Sequence, residues 1–101
     1  MKLYIDSSDR EKIIVGIDRQ RFETKAKEDK SQRLLPFIDK LLKKHHKKIE
    51  EITEIEVNTG PGSFTGLRVG VAVANTLGWI LNIPVNGKNL NKGELVDIKY
   101  K

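Results

Sequence analysis

The first quarter of the chain consists of short segments rich in apolar residues, and in the first of them apolar and polar residues alternate, a period of two that is typical of a strand with one buried face. Leu3 and Ile5 stand between Lys2, Tyr4 and Asp6, whereas Ile13, Ile14 and Val15 form a short continuous apolar run. These segments, separated by short polar turns, predict strands over residues 2–6, 12–18 and 20–25. Because the polar turns between them are too short to cross over to a parallel strand, we expect an antiparallel meander.

The rest of the chain predicts helices that alternate with strands. A stripe of apolar residues repeats every three or four positions and defines a first, core-facing helix; its members are Leu34, Leu35, Phe37, Ile38, Leu41, Leu42 and Ile49. Since proline is best tolerated in a first turn, Pro36 places the start of the regular helix near Leu35. A strand over 54–58, a helix over 65–81 and a strand over 84–86 then form a β-α-β unit. The predicted fold is therefore α/β, with helices packed on a mixed sheet.

A turn crowded with glycines joins the strand at 54–58 to the second helix. Gly60, Gly62 and Gly66 allow the backbone to approach another surface closely, and Ser63 or Thr65 can cap the helix. The turn has neither the lysine of a Walker loop nor the G-x-G-x-x-G spacing of a dinucleotide site. Three interpretations stay open: an anion at the helix N-terminus, a partner's backbone, or tight packing alone.

Small residues recur at every fourth position of the second helix. They are Gly66, Gly70, Ala74 and Gly78. Since each glycine costs about 1 kcal/mol relative to alanine in a helix, we expect a close contact with a neighbouring helix or the sheet to compensate. The residues beside this small-residue groove are expected to form the core face; they are Val69, Val73, Leu77 and Ile80.

The opposite face of the second helix carries the tryptophan of the chain among small and uncharged residues. By the 3.6-residue period this face comprises Arg68, Ala72, Asn75, Thr76 and Trp79. The composition is that of a protein interface with an aromatic anchor. The alternative is that Trp79 folds over the end of the first helix and belongs to the core.

Composition describes one small domain with a positive charge. The chain has 101 residues, no cysteine and a formal net charge of +5, so it offers neither disulfides nor a thiolate metal site. Part of the excess lies in Lys43, Lys44, Lys47 and Lys48, which either contact the phosphates of an RNA such as tRNA or form a solvated helix end. The N-terminus lacks the apolar core of a signal peptide, and the apolar stretch at 69–81 is short for a membrane span, so we expect a cytoplasmic protein.

Residues suited to catalysis are scarce. His45 and His46 are adjacent and point about 100° apart on a helix, which is unsuited to binding one metal ion. Asp6 ends a strand next to two serines, where an aspartate either forms a turn or, in an enzyme, faces a metal-bound phosphate. We expect no catalytic residue, no cofactor and no metal.

Three ordered segments of this chain resemble the TsaB-type proteins, the non-catalytic partners in forming the threonylcarbamoyl modification of tRNA adenosine. The string GPGSFTGLRVGVA at 60–72 is similar to the signature of that family. The segment SQRLLPFIDKLL at 31–42 resembles its first helix, and LNIPV at 81–85 resembles the exit from its second helix. The opening strand ends in Asp6-Ser7-Ser8-Asp9 where the family commonly has Asp-Thr-Ser-Thr.

The resemblance implies a ribonuclease H-like half-unit of the actin, Hsp70 and sugar-kinase superfamily. It covers residues 1–87, the first of the two lobes of the family, and we expect the second lobe to be absent from this chain. Residues 88–101 are expected to form a divergent tail, in which the alternation at 94–101 suits an added edge strand.

The resemblance also implies a function. The chain would be a scaffold that binds a TsaD-type catalytic subunit, with a TsaE-type ATPase and tRNA joining through the complex. Alone it would form a homodimer through its helices. Two alternatives are a diverged ATP-binding hydrolase or peptidase of the same superfamily, which would use Asp6, and a free-standing tRNA-binding module, which would use the lysine run.

Overall fold

The computed structural model describes residues 1–98, which form a four-stranded mixed sheet and two helices. The strands are β1 (Lys2–Asp6), β2 (Lys12–Ile17), β3 (Gln20–Lys25) and β4 (Glu54–Val57), and the helices are α1 (Lys30–Lys44) and α2 (Phe64–Leu81). Short 3₁₀ turns lie at Ile49–Glu51 and Leu90–Lys92. The sheet order is β3-β2-β1-β4, with β1 antiparallel to β2 and parallel to β4. The predicted meander and mixed sheet are confirmed.

The two faces of the sheet differ as the alternation predicts. Leu3, Ile5, Ile13 and Val15 are fully buried on the face that the helices cover. There α2 lies against β1 and β4, α1 lies against β2, and the two helices contact each other. The other face carries charged pairs such as Lys2 with Glu56 at 2.7 Å and Lys12 with Glu23 at 3.3 Å. The lobe is thus a sheet with helices on one side.

The first helix begins earlier than predicted. It starts at Lys30, so Pro36 lies in its interior instead of its first turn. Pro36 has no N–H to donate to the carbonyl of Gln32, four residues earlier in the helix. Because Pro36 is exposed, that carbonyl can bond water instead. The helix ends at Lys44, so Ile49 falls in a 3₁₀ turn and is 37% exposed instead of continuing the apolar stripe.

The predicted last strand at 84–86 is reduced to a single parallel bridge between Ile55 and Val85. The chain turns away immediately afterwards, because Asn86 has φ +50° and Gly87 has φ +77°. The side-chain amide of Asn86 then takes the place of further backbone pairing. Its Oδ1 accepts from Val57 N at 2.8 Å, and its Nδ2 donates to Val57 O at 3.0 Å.

The predicted edge strand at 94–101 is not formed within the part that the structure describes. Residues 94–98 have no strand pairing, and residues 99–101 lie outside the described residues. The segment packs on the lobe instead, since Val96 and Ile98 are buried. The carbonyl of Val96 accepts a hydrogen bond of 2.8 Å from Asn75 Nδ2 on α2.

The helix α2 is long and apolar enough, by length and composition alone, to cross a membrane. The stretch at 69–81 was expected to be too short for a membrane span, but the whole helix Phe64–Leu81 reaches the required length. Seven of its residues are buried, and its small residues contact the sheet, which is the packing of a core helix.

Candidate functional site: the second helix and its glycine turn

The glycine turn is held against the connection between β1 and β2. Ser63 caps α2, as predicted, because its Oγ accepts a hydrogen bond of 3.4 Å from Gly66 N. Its own amide donates to Ser8 O at 2.8 Å. On the strand side, Gly60 N donates to Asn58 Oδ1 at 2.9 Å. The turn is thus fixed at both ends, while Thr65 in the first turn of α2 is exposed.

Two glycines of the turn, Gly62 and Gly66, are required by close contacts within the chain. A Cβ on Gly62 would lie 2.6 Å from Ser8 Cβ and 2.8 Å from Ser8 O. A Cβ on Gly66 would collide with the carbonyl oxygen of Ser7. The packing interpretation of these two glycines therefore holds, whatever else the turn binds.

Ser7 joins α2 to the end of β1 through two hydrogen bonds. The sequence pattern did not predict this contact. The residue is fully buried, its Oγ donates to Gly66 O at 2.6 Å, and the same Oγ accepts from Gly70 N at 3.0 Å. The hydroxyl occupies the space that a Cβ on Gly70 would need. The glycines four residues apart were the available signal, but they did not say which side chain enters between them.

The small-residue groove of α2 faces the sheet and is filled. Ala74 is fully buried, and a Cβ on Gly78 would collide with Val85 Cγ2. Of the residues predicted as the core face, Leu77 is buried, Val69 and Val73 are partly buried, and Ile80 is 64% exposed. That prediction is wrong for Ile80, because α2 turns its smallest residues inward and so leaves bulkier ones outside.

The predicted interface face lies on the outside of α2, apart from one member. Arg68, Ala72, Thr76 and Trp79 are exposed, and Trp79 is 63% exposed. Trp79 is therefore not a core residue of this chain. Asn75 is partly buried because its amide bonds Val96 O, and its Oδ1 is buried with no hydrogen-bond partner among the described residues.

An apolar surface continues from this face toward α1. Six residues line a shallow cleft of about 260 Å³ between the helices: Leu35, Ala72, Val73, Thr76, Leu77 and Ile80. Leu35 is 48% exposed, although the sequence pattern placed it in the core. We call the exposed residues Leu35, Ala72, Thr76, Trp79 and Ile80 the helix patch.

Asp6 forms a turn. Its Oδ1 accepts from Ser8 N at 2.9 Å and from Ser8 Oγ at 2.6 Å, and its Oδ2 accepts from Tyr4 Oη at 3.3 Å. Burial raises the pKa of this carboxyl, but the hydrogen bonds, chiefly from Ser8, outweigh that effect and lower the pKa below its ordinary value. Within residues 1–98 no three His, Cys, Asp or Glu side chains converge as a metal site.

The lysine run lies at the far end of α1 from the glycine turn. Lys43, Lys44, Lys47 and Lys48 are all exposed, and Lys43 pairs with Asp39 at 3.0 Å. His45 packs its ring against Phe22 with centroids 5.0 Å apart, and its Nδ1 lies 2.8 Å from Leu41 O. The His45 ring is therefore held against β3 and the last turn of α1.

Comparisons with known proteins find relatives in the family that the segment at 60–72 resembles. A family model described as TsaD, tRNA N6-adenosine threonylcarbamoyltransferase, matches residues 23–91. The tRNA threonylcarbamoyladenosine biosynthesis protein TsaB of Bacillus subtilis (strain 168) is 40% identical over 63 residues, which are 62% of this chain and 28% of that protein. TsaB of Buchnera aphidicola subsp. Baizongia pistaciae is 47% identical over 51 residues, which are 50% of this chain and 23% of that protein.

The fold is similar to that of a solved structure, YeaZ from Pseudomonas aeruginosa. The TM-score is 0.71 at 26% sequence identity, over 83% of this chain and 41% of that chain. The chain thus spans 28% and 23% of the two curated relatives and 41% of YeaZ. The match of the family model over residues 23–91 and the TsaB relatives confirm the resemblance carried by residues 60–72: the chain belongs to the family described as TsaD, tRNA N6-adenosine threonylcarbamoyltransferase, and is TsaB-like within it.

Proposed function

We propose that this chain acts in the threonylcarbamoylation of tRNA adenosine as a non-catalytic subunit that binds a TsaD-type catalytic subunit. The observation that carries the proposal is the helix patch. Trp79 and Ile80 are 63% and 64% exposed on a chain whose core is otherwise well buried. Adjacent exposed apolar side chains are typical of a surface that another protein covers.

The composition of the helix patch favours a protein partner. Thr76 and Ala72 are small, so a facing helix can approach closely, and Trp79 supplies an aromatic anchor at one end. Arg68 lies on the same face, with its guanidinium 5.4 Å from the ring centre of Phe64, and extends the patch with a charged rim. An apolar centre with a polar rim is the usual anatomy of a protein interface.

A structural role fits the chemistry better than an enzymatic one. The oxygens of Asp6 are hydrogen-bonded by Tyr4 and Ser8, and Gly62 and Gly66 of the turn are required by contacts with Ser8 and Ser7. We infer that the lobe is a ribonuclease H-like half-unit comprising residues 1–87 with a tail over 88–101, and that the protein is cytoplasmic. tRNA and a TsaE-type ATPase are expected to join through the complex, with the lysine run nearest the RNA.

The test is co-purification of the 101-residue chain with the TsaD-type protein of its own source. Trp79→Ala should weaken that association by about 2 kcal/mol or more, and Ala72→Glu should abolish it, because it buries a charge at the centre of the contact. In the absence of the partner we expect a homodimer through the same patch, and both variants should shift it to monomer in sedimentation.

The matched control is Ile49→Ala, which shortens an exposed apolar side chain outside both helices. It should leave association unchanged. Thermal melts of each variant separate a loss of binding from a loss of folding. If Trp79→Ala and Ala72→Glu keep wild-type association and oligomeric state, the helix patch is not the interface.

A further inference from the structure

A second surface lies at the other end of the helices. A cleft of about 1140 Å³ opens between the β1–β2 connection, the start of α1 and the first turn of α2. Ser8, Arg10 and Lys27 lie along it, and Lys30, Thr65 and Gly66 line it as well. The cleft is separate from the helix patch, and the proposed scaffold function does not use it.

Lys30 is the unusual residue of this cleft. It is only 4% exposed, yet no hydrogen bond or salt bridge joins its ammonium to any residue in the described part of the chain. The carboxylate of the preceding residue, Asp29, forms a salt bridge with Arg33 Nε instead. Lysine is almost never this buried unless it is paired. The Nζ atom is not one of the fully buried unpartnered polar atoms of residues 1–98, so it keeps some exposure, and Lys30 lines the cleft.

The Lys30 ammonium lies beside a second positive group, the N-terminal end of α2. Lys30 Nζ lies 3.5 Å from where a Cβ on Gly66 would stand, beside the first turn of α2. The N-terminus of a helix is the positive end of its dipole, and the first turn of α2 contains no acidic residue to offset it. Two positive groups therefore face one cleft, and an anion between them would relieve both.

We infer that this cleft binds a single phosphate group, held between the Lys30 ammonium and the first turn of α2. The amide of Thr65, the second residue of the helix, has no carbonyl one turn earlier in the helix to bond, so it is available as a donor. The Thr65 hydroxyl lies beside it as a further donor. The group is either free inorganic phosphate or the phosphate of a small phosphomonoester.

The rim of the cleft favours one phosphate over a chain of them. Arg10 and Lys27 are balanced there by Asp9, Glu11 and Glu28. The carboxylates would repel the successive phosphates of an RNA strand, while the buried Lys30 remains accessible to one small anion.

The experiment is a titration of the ¹⁵N-labelled chain with sodium phosphate, with sodium chloride at equal ionic strength as the reference. We expect the amide signals of Thr65 and Gly66 to shift with saturation at millimolar phosphate or below. Lys30→Met fills the same space without the charge and should weaken binding about tenfold or more, which corresponds to losing one charge-assisted hydrogen bond. Lys40→Met removes an exposed lysine of the same helix and should bind as the wild type does.

Several outcomes would overturn the inference. They are unshifted Thr65 and Gly66 amides in wild-type protein, equal phosphate affinity in Lys30→Met, and equal affinity for acetate. Saturation by glycerol phosphate as well as inorganic phosphate would support a phosphomonoester, and saturation by inorganic phosphate alone would support the free ion. If tRNA but not phosphate gave shifts that depend on Lys30, the assignment to a small ligand would be wrong. The wild-type titration decides even if Lys30→Met does not fold.

Discussion

Gly70→Ala tests with one methyl group whether Ser7 seats α2 on the sheet. The added Cβ would collide with Ser7 Oγ and would lie 3.3 Å from Ile5 Cγ2. Without that collision alanine would stabilise the helix by about 1 kcal/mol. Overpacking costs about 1–3 kcal/mol, and the displaced hydroxyl gives up two buried hydrogen bonds of about 1 kcal/mol each. We therefore expect a net destabilisation of about 3 kcal/mol, and a larger one for Gly70→Leu.

Urea denaturation followed by circular dichroism measures this change. In a thermal melt it corresponds to a decrease of roughly 12 °C or more for a domain of this size. Thr76→Ala, on the exposed side of the same helix, raises helix propensity without a collision and should stabilise by about 0.5 kcal/mol. Gly87→Ala meets no atom within 4 Å and should matter less than Gly70→Ala, although its φ of +77° adds some strain.

A double-mutant cycle tests whether the collision with Ser7 causes the destabilisation by Gly70→Ala. In Ser7→Ala the hydroxyl is gone, and the remaining Ser7 Cβ position lies 3.4 Å from the new Cβ, a tight contact with no collision. The double variant Ser7→Ala/Gly70→Ala should therefore be more stable than the two single losses predict, by about 1 kcal/mol or more. If Gly70→Ala melts at or above the wild-type temperature, or if the two changes are additive, the contact does not hold the helix as described.

Two further predictions concern Asp6. The chain should neither hydrolyse ATP nor bind Mg-ATP tightly, since the glycine turn lacks a P-loop lysine; micromolar binding by calorimetry that Asp6→Ala abolishes would restore the enzyme alternative. Because the folded state lowers the pKa of Asp6 below its ordinary 3.8, this carboxylate stabilises the fold above about pH 4, and the stabilisation is lost as the pH falls through the folded pKa. The wild type should thus be more stable than Asp6→Asn in urea at pH 7, the difference should shrink by pH 3, and a difference independent of pH would contradict this.

Local patterns predicted most of the fold. β1 to β4 start at the predicted residues, and α2 begins one residue before the predicted Thr65 because Ser63 supplies its cap. Pro36 misplaced the start of α1, since the preference of proline for a first turn is weaker than the gain from packing Leu34 and Ile38 on the sheet. The strand at 84–86 failed because a side-chain amide, that of Asn86, replaced the backbone pairing.

The candidate sites were predicted only in part, because they depend on contacts between distant residues. The exposed face of α2 follows from helical period, so Trp79 and Ala72 were placed correctly outside. Ser7 and Lys30 were not singled out. Ser7 meets Gly66 and Gly70 at a separation of about sixty residues, and Lys30 is buried because it is the first residue of α1 and lies next to the first turn of α2, which the sequence around it does not reveal.

The packing of α2 explains why its outer face carries bulky apolar residues. The positions against the sheet are taken by glycine and alanine, because Ser7 and Val85 project into the helix and fill the space that larger side chains would need. Trp79 and Ile80 therefore add little to the core of the lobe, since both are more than half exposed. Side chains that do not stabilise the lobe and add apolar surface are costly in water unless a partner covers them. At a concentration low enough for wild type and variant both to be monomeric, Ala72→Glu should accordingly leave the melting temperature of the lobe unchanged while abolishing association. A lower melting temperature of the monomer would mean that α2 packs differently from this arrangement.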